Sequence, residues 1–337
     1  MKSLFGLALA ALFFVSSTFG ASADPAEHWE NVDPTMTGWS FDVEKAVQDY
    51  AATAKPVAVM IVRDGKIIAR WGDVARKINV KSVRKSLLSA LYGIAVSDGR
   101  INLASTLAQL GVDDLPPSLT DAEKQATVRD LLMARSGVYH LAAYETAEIR
   151  EKRPERGSHP PGSFWFYNNW DFNALGAIYR RATGEDIFES FAQRIARPIG
   201  MEDFTSGDGR YVSAPSSRHP AYPFRLSARD LARFGLLFLN GGLWRGKQVI
   251  PAAWVKESTT PYSQTDRSDR GYGYLWWTLD EWGAGAALAS GTGGQLMAFL
   301  PAKRLVIVQT VDTRQNPQGA QTKDFLAFLR KIVAAAP

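Results

Sequence analysis

The β-forming sequence of this chain lies at its two ends. Val57, Val59 and Ile61 alternate with their neighbours, and Asp64-Gly65 follows them. Residues 57–71 therefore read as a hairpin, with glycine supplying the positive φ of a tight turn. At the other end, Gly271 to Thr278 and Gln295 to Leu300 are strand-like, and Leu305 to Val311 is a β-branched run. A helical Lys323–Ala335 follows. Between the two ends, roughly residues 82–260 are helix-rich, with breaks at Gly99, at Asp113-Asp114-Leu115-Pro116-Pro117, across 153–163 and near Gly241-Gly242. Strands at both ends and helices between predict an α/β (α+β) fold. One antiparallel sheet is built from both chain ends and flanked by helices, with a mostly helical subdomain beside it. The sheet part is expected over about 24–80 and 261–337, and the helical part over about 81–260.

Composition narrows the chemistry. A length of 337 residues allows one large domain or two ordinary ones. With 46% hydrophobic and 22% charged residues, a disordered chain, a collagen-like fibre and a coiled coil are excluded. The absence of cysteine excludes disulfides, thiolate zinc sites, iron–sulfur clusters and a cysteine nucleophile. A net charge of +5 without a long Lys/Arg block does not imply nucleic acid. His28, His140, His159 and His219 form no two-histidine helical spacing, so no metal site is expected.

The first 23 residues read as a signal peptide. Lys2 supplies a short positive start, Leu4 to Val15 is apolar but short for a bilayer span, and Ala21-Ser22-Ala23 is a small-residue cleavage pattern. Cleavage is expected after Ala23, giving a periplasmic or secreted location. The alternative is an uncleaved anchor. Without cysteine, stability outside the cytoplasm must come from packing.

The segment Ser82-Val83-Arg84-Lys85 opens a helix in which Val83, Leu87, Leu91, Ile94 and Ala95 recur at helical spacing, and Asp98-Gly99 ends it. Residues three apart lie on one helix face, so the Ser82 hydroxyl and the Lys85 amine can meet. Burial and the positive end of the helix dipole both push Lys85 towards the neutral amine that a general base requires. A serine hydroxyl needs such a base to attack at neutral pH. Alone, the motif has a plain alternative: a serine helix cap followed by an ordinary surface lysine.

Two further segments shift that balance. Phe164 to Asp171 contains Tyr167-Asn168-Asn169 just before a helix, and Ser290-Gly291-Thr292-Gly293-Gly294-Gln295 leads into a strand, where glycine admits close approach of a ligand. Ser82-x-x-Lys85, Tyr167-x-Asn169 and a glycine-rich strand start, in that order, resemble the serine β-lactamase and penicillin-binding-protein superfamily. The likeness is to its class C branch, which includes carboxylesterases and nylon-oligomer amide hydrolases. Asp64-Gly65-Lys66, Gly93 to Val96, Leu131 to Gly137 and Ser227 to Arg233 share that branch's look, so the likeness spans about residues 50–330.

The resemblance implies the roles. Ser82 is the acylated nucleophile, Lys85 helps remove its proton, and Tyr167 passes a proton to the leaving group. Which of Lys85 and Tyr167 is the principal base stays open, since a phenol near a cation could ionise below its usual value of about 10. Asn169 holds Lys85 or the substrate, or caps the following helix. The oxyanion hole is expected from the backbone N–H groups of Ser82 and Gln295. Thr292-Gly293-Gly294 stands where lactamases carry a cationic triplet, so the grip on a β-lactam carboxylate is missing there. Arg84, Arg135 and Arg156 are candidate replacements.

The function expected is an exported serine hydrolase that cleaves a small ester or amide through an acyl-serine. No cofactor, no nucleic acid, no membrane span after cleavage and no obligate protein partner are implied. A penicillin-recognising sensor and a D-alanyl peptidase or transesterase are the rival readings. Trp165, Trp170, Trp276 and Trp277 either line a cleft or pack under loops, and the 156–161 loop either rims the cleft or is a plain connection. Arg229 and Asp230 are expected to be a structural pair.

Overall fold

The structure is a computed structural model, and it describes residues 28–39 and 41–337. The expected leader, residues 1–23 with cleavage after Ala23, lies outside the described residues. Helix α1 (Val43–Ala54) is capped by the Asp42 carboxylate, which accepts from Lys45 N at 2.8 Å. It leads into the hairpin of β1 (Ala58–Arg63) and β2 (Lys66–Gly72). Helix α2 (Arg84–Ser97) follows, then α3 (Asn169–Thr183) and α4 (Ala228–Leu239). The other strands of the main sheet are β3 (Gly271–Tyr272), β4 (Trp277–Thr278), β5 (Ala287–Gly291), β6 (Gln295–Leu300) and β7 (Leu305–Thr310), before the closing α5 (Thr322–Ala335).

Among the described residues the main sheet runs β2-β1-β7-β6-β5-β4-β3, antiparallel throughout. The expected closure from both ends is the β1–β7 pairing, in register from Ala58↔Thr310 to Arg63↔Leu305. Helices cover both faces. On one, Tyr50 of α1 stacks on Phe328 of α5 at 4.2 Å and donates its hydroxyl to Gln309. On the other, α4 packs on β6 and β7. Being covered twice, β6 and β7 are buried along their whole length. That is why their sequences are continuous apolar runs rather than alternating ones.

Two expectations need correction. Gly271 to Thr278 is two short strands, because the chain folds back through Leu275 at φ 64 and pairs Trp277 with Tyr272. Helix α2 is buried nearly all round rather than on one face. It sits in the middle of the molecule, where Ser86 Oγ donates to Leu275 O at 2.9 Å, Ser89 Oγ to Tyr274 O at 2.7 Å and Tyr92 OH to Leu175 O at 2.7 Å. Short strands also lie outside the main sheet: Ile78–Asn79 pairs with Arg225–Leu226, and Val212–Ala214 with Ser217–Ala221.

Candidate active site

The chain enters the nucleophile turn in a costly conformation. Lys81 has φ 51, a left-handed backbone that a side chain disfavours by about 1–2 kcal/mol. Residues Lys81–Val83 then form one 3-10 turn that runs directly into α2. Ser82 is half-buried and its side chain caps no N–H of either element, so the helix-cap alternative does not hold. Its oxygen faces Lys85 instead. Lys85 Nζ lies 2.7 Å from Ser82 Oγ and 2.9 Å from Tyr167 OH. Three side chains from two distant segments therefore share one hydrogen-bonded cluster.

Tyr167 is placed by its neighbours. Phe166 N–H donates to Ala134 O at 3.0 Å, and Asn168 Nδ2 donates to Val138 O at 2.6 Å, so the residue between them is tied at both sides. Its ring stacks on Trp277 at 5.4 Å and meets Phe172 at 5.0 Å and Tyr272 at 6.1 Å. This aromatic box sets the electrostatics. Burial, and then the Arg84 charge, hold Lys85 well below its ordinary 10.5, which favours the neutral amine. Burial also pushes Tyr167 up to about 12, against the hydrogen bond to Ser82 and the charges of Arg84 and Arg267. The expectation of a phenol ionising below 10 is thus reversed: desolvation of the phenolate outweighs the nearby cations.

The other expected residues are placed as follows. Asn169 is the first residue of α3 and is buried, but the hydrogen bonds of Lys85 go to Ser82 and Tyr167 and not to it. The cap of α3 is Asn168, whose Oδ1 accepts from Trp170 N at 3.2 Å. Thr292, Gly293 and Gly294 form the β5–β6 turn, with Gly293 at φ 84 and Gly294 at φ 94. Gln295 is fully buried, its side chain donating to Val311 O at 2.7 Å and accepting from Val311 N at 3.0 Å. The hairpin residue pressed on the Ser82 turn is Gly291, paired with Gln295 in register. On β5, strand β4 pairs only Ala287 and Leu288, so among the described residues the end of β5 from Ala289 to Gly291 carries no strand on that side.

Several assignments change. Arg84 is wholly buried and turned towards Asn173 and Tyr222, and Arg156 is engaged by Glu123 at 2.7 Å. Neither is free to hold a substrate anion. Arg135 is half-buried, with NH1 3.4 Å from Tyr262 O. Trp170 and Trp276 are core residues, whereas Trp165 meets Trp277 at 5.8 Å beside Tyr167. In the 156–161 loop, His159 stacks on Phe164 at 4.0 Å. Arg229 and Asp230 do not pair with each other. Arg229 binds Asp203 and Glu202, while Asp230 accepts from the backbone N–H groups of Glu202, Asp203 and Phe204. Among the described residues no group of His, Asp and Glu side chains has the arrangement of a metal site.

Sequence reasoning missed a supporting layer. Asp171 is fully buried, its Oδ1 accepting from Ser136 Oγ at 2.5 Å and Asn168 Nδ2 at 2.9 Å. Burial raises its carboxyl well above 3.8. It ties the 131–138 segment to the start of α3 and so fixes Tyr167. The signal was present in the acidic residue two positions after Asn169, but nothing in the sequence marked it as buried.

A profile of the beta-lactamase family matches residues 43–330. The chain belongs to the beta-lactamase family. This is a family of serine hydrolases related to penicillin-binding proteins, as the sequence motifs implied. The fold is shared with a presumed 6-aminohexanoate-dimer hydrolase from Bacillus anthracis, at TM-score 0.67 and 19% identity, covering 93% of this chain and 87% of that one. A penicillin-binding-protein homologue from Caulobacter crescentus superposes at TM-score 0.63 and 16% identity, over 84% and 93% of the two chains. An uncharacterized protein of Alkalihalophilus pseudofirmus is 23% identical over 316 residues, which is 82% of this chain and 88% of that protein. No helix among the described residues of this beta-lactamase-family chain is long and apolar enough to cross a membrane.

Proposed function

We propose that this chain hydrolyses a small ester or amide through an acyl-enzyme on Ser82. The observation that carries the reading is the contact of Ser82 Oγ with a buried lysine at 2.7 Å that also lies 2.9 Å from a phenol. The neutral Lys85 amine takes the Ser82 proton as Oγ attacks the carbonyl carbon, and the C=O π pair moves onto oxygen. That oxyanion is met by the Ser82 N–H and by a backbone N–H from the hairpin end where Gly291 and Gln295 face each other. One such donor is worth on the order of 3 kcal/mol of barrier. When the bond to the leaving group breaks, the Tyr167 phenol donates its proton to the departing atom and recovers one from the Lys85 ammonium. Water then attacks the acyl-serine, with Lys85 again as base.

Lys85, rather than Tyr167, is the base in this scheme, because burial neutralises the amine and disfavours the phenolate. The ester or amide reading is preferred to dedicated β-lactam hydrolysis. Thr292 stands in the triplet where a cation is expected, Arg84 is wholly buried, and Arg156 is engaged by Glu123. The amide named for the Bacillus anthracis protein of the same fold is in keeping with this choice. Export with cleavage after Ala23 belongs to the same proposal and rests on residues 1–23 alone; N-terminal sequencing of secreted protein tests it.

The test is hydrolysis of p-nitrophenyl esters by the parent and by Ser82→Ala, with circular dichroism to confirm that both are folded. The reading predicts loss of turnover in the variant, and unchanged turnover contradicts it. A stable penicilloyl adduct without ester turnover would favour the sensor reading instead.

A further inference from the structure

The residue before Lys85 is a buried cation without an anion. Arg84 is 0% exposed, and its charge has no carboxylate within ion-pair distance among the described residues. NH2 donates to Asn173 Oδ1 at 3.0 Å, while Nε and NH1 are buried without a hydrogen-bond partner. The guanidinium lies 4.3 Å from the Tyr222 ring centroid and 5.9 Å from that of Tyr144. Burying a guanidinium unpaired costs several kcal/mol, so packing alone gives no reason for this residue.

Lys85 supplies a reason. Its Nζ lies 4.7 Å from the ring centroids of both Tyr167 and Phe172. Two aromatic faces favour the ammonium, against the needs of a base. Among the described residues, Arg84 is the buried permanent charge that opposes this. From the segment before α3 comes Tyr167, from α3 comes Asp171, from β3 comes Tyr272, and beyond Arg84 lies Tyr222; burial pushes all four towards their neutral forms. Arg267 is exposed and Lys81 only half-buried, so water screens their charges. Arg84 is the buried permanent cation in this shell, one residue from Lys85.

We infer that Arg84 is a positioning residue whose uncompensated charge keeps the Lys85 amine unprotonated, and so sets the pH at which Ser82 becomes a nucleophile. It touches no reacting atom and acts through Lys85. The inference rests on the assignment of Ser82 and Lys85 above.

The test is the pH dependence of fluorophosphonate labelling and of kcat/KM for a p-nitrophenyl ester, from about pH 5 to about pH 10. Removing the charge in Arg84→Met or Arg84→Gln raises the Lys85 pKa, so the acid limb moves to higher pH. The expected loss is roughly tenfold on the acid side, with recovery to within about twofold on the alkaline plateau. Arg84→Lys, which keeps a cation, leaves the limb nearer to the parent's. Arg84→Gln preserves a donor for Asn173 and is read if Arg84→Met fails to fold. An unmoved limb in a folded neutral variant overturns the inference, as does a uniform loss at every pH, the mark of a purely structural role. Ser82→Ala separates the two claims: if it is still labelled and active, the nucleophile assignment fails, whatever the Arg84 variants do.

Discussion

Gly291 and Val80 stand so close that a Cβ on the glycine would lie 2.4 Å from the Val80 carbonyl oxygen. The same Cβ would be 3.1 Å from the Lys81 Cβ and 3.0 Å from that of Gln295. The end of β5 is therefore fitted against the turn that presents Ser82. Gly291→Ala must push that turn away. We expect kcat/KM to fall on the order of a hundredfold, since a shift of about 1 Å in a reacting group costs that much. Stability should fall by about 1–3 kcal/mol. Steady-state kinetics and thermal melts check both. Parent-like kinetics in Gly291→Ala would remove the hairpin end from the site.

Tyr167 makes a prediction that depends on the leaving group. If the phenol delivers a proton, its removal matters most where the departing atom is strongly basic. Tyr167→Phe should lose about tenfold on a p-nitrophenyl ester, whose leaving group departs as an anion. On an alkyl amide with the same acyl group it should lose on the order of a thousandfold. Equal losses on both substrates would assign Tyr167 to packing with Trp277 and Phe172 instead.

Asp171 predicts a pH effect on stability. Burial raises its folded pKa well above 3.8. Such a carboxyl favours the fold at pH below its unfolded value, and that contribution is lost as pH rises towards the folded pKa. Asn does not titrate and can still accept from Ser136 and Asn168 at the same oxygen. Asp171→Asn should therefore gain stability relative to the parent between about pH 4 and pH 7. Urea unfolding of both proteins at the two pH values measures this. A difference that stays constant, or moves in the parent's favour, contradicts a neutral Asp171.

What was legible in the sequence follows from local rules. The 57–71 hairpin and Gln295–Leu300 were readable because turn chemistry and apolar runs are written into adjacent residues. Ser82 and Lys85 were readable because helical spacing alone brings i and i+3 together. Helix α1 went unread, since its burial depends on packing against β2 and against α5, the latter hundreds of residues away. The Tyr167 ionisation was misjudged for the same reason: Trp277 and Tyr272, which wall it off from water, lie over a hundred residues further on. Arg84 looked like a candidate for binding substrate. Only the packed structure turns it inward to Asn173 and Tyr222.

The most direct test of the central claim is to trap the acyl group. The protein is mixed with an excess of a p-nitrophenyl ester, quenched in acid within the first turnovers, and read by intact mass and peptide mapping. The account predicts a mass increase equal to the acyl group, carried by the peptide containing Ser82 and absent from Ser82→Ala. An acyl group found on another residue, or steady ester turnover with no adduct in parent or variant, contradicts it.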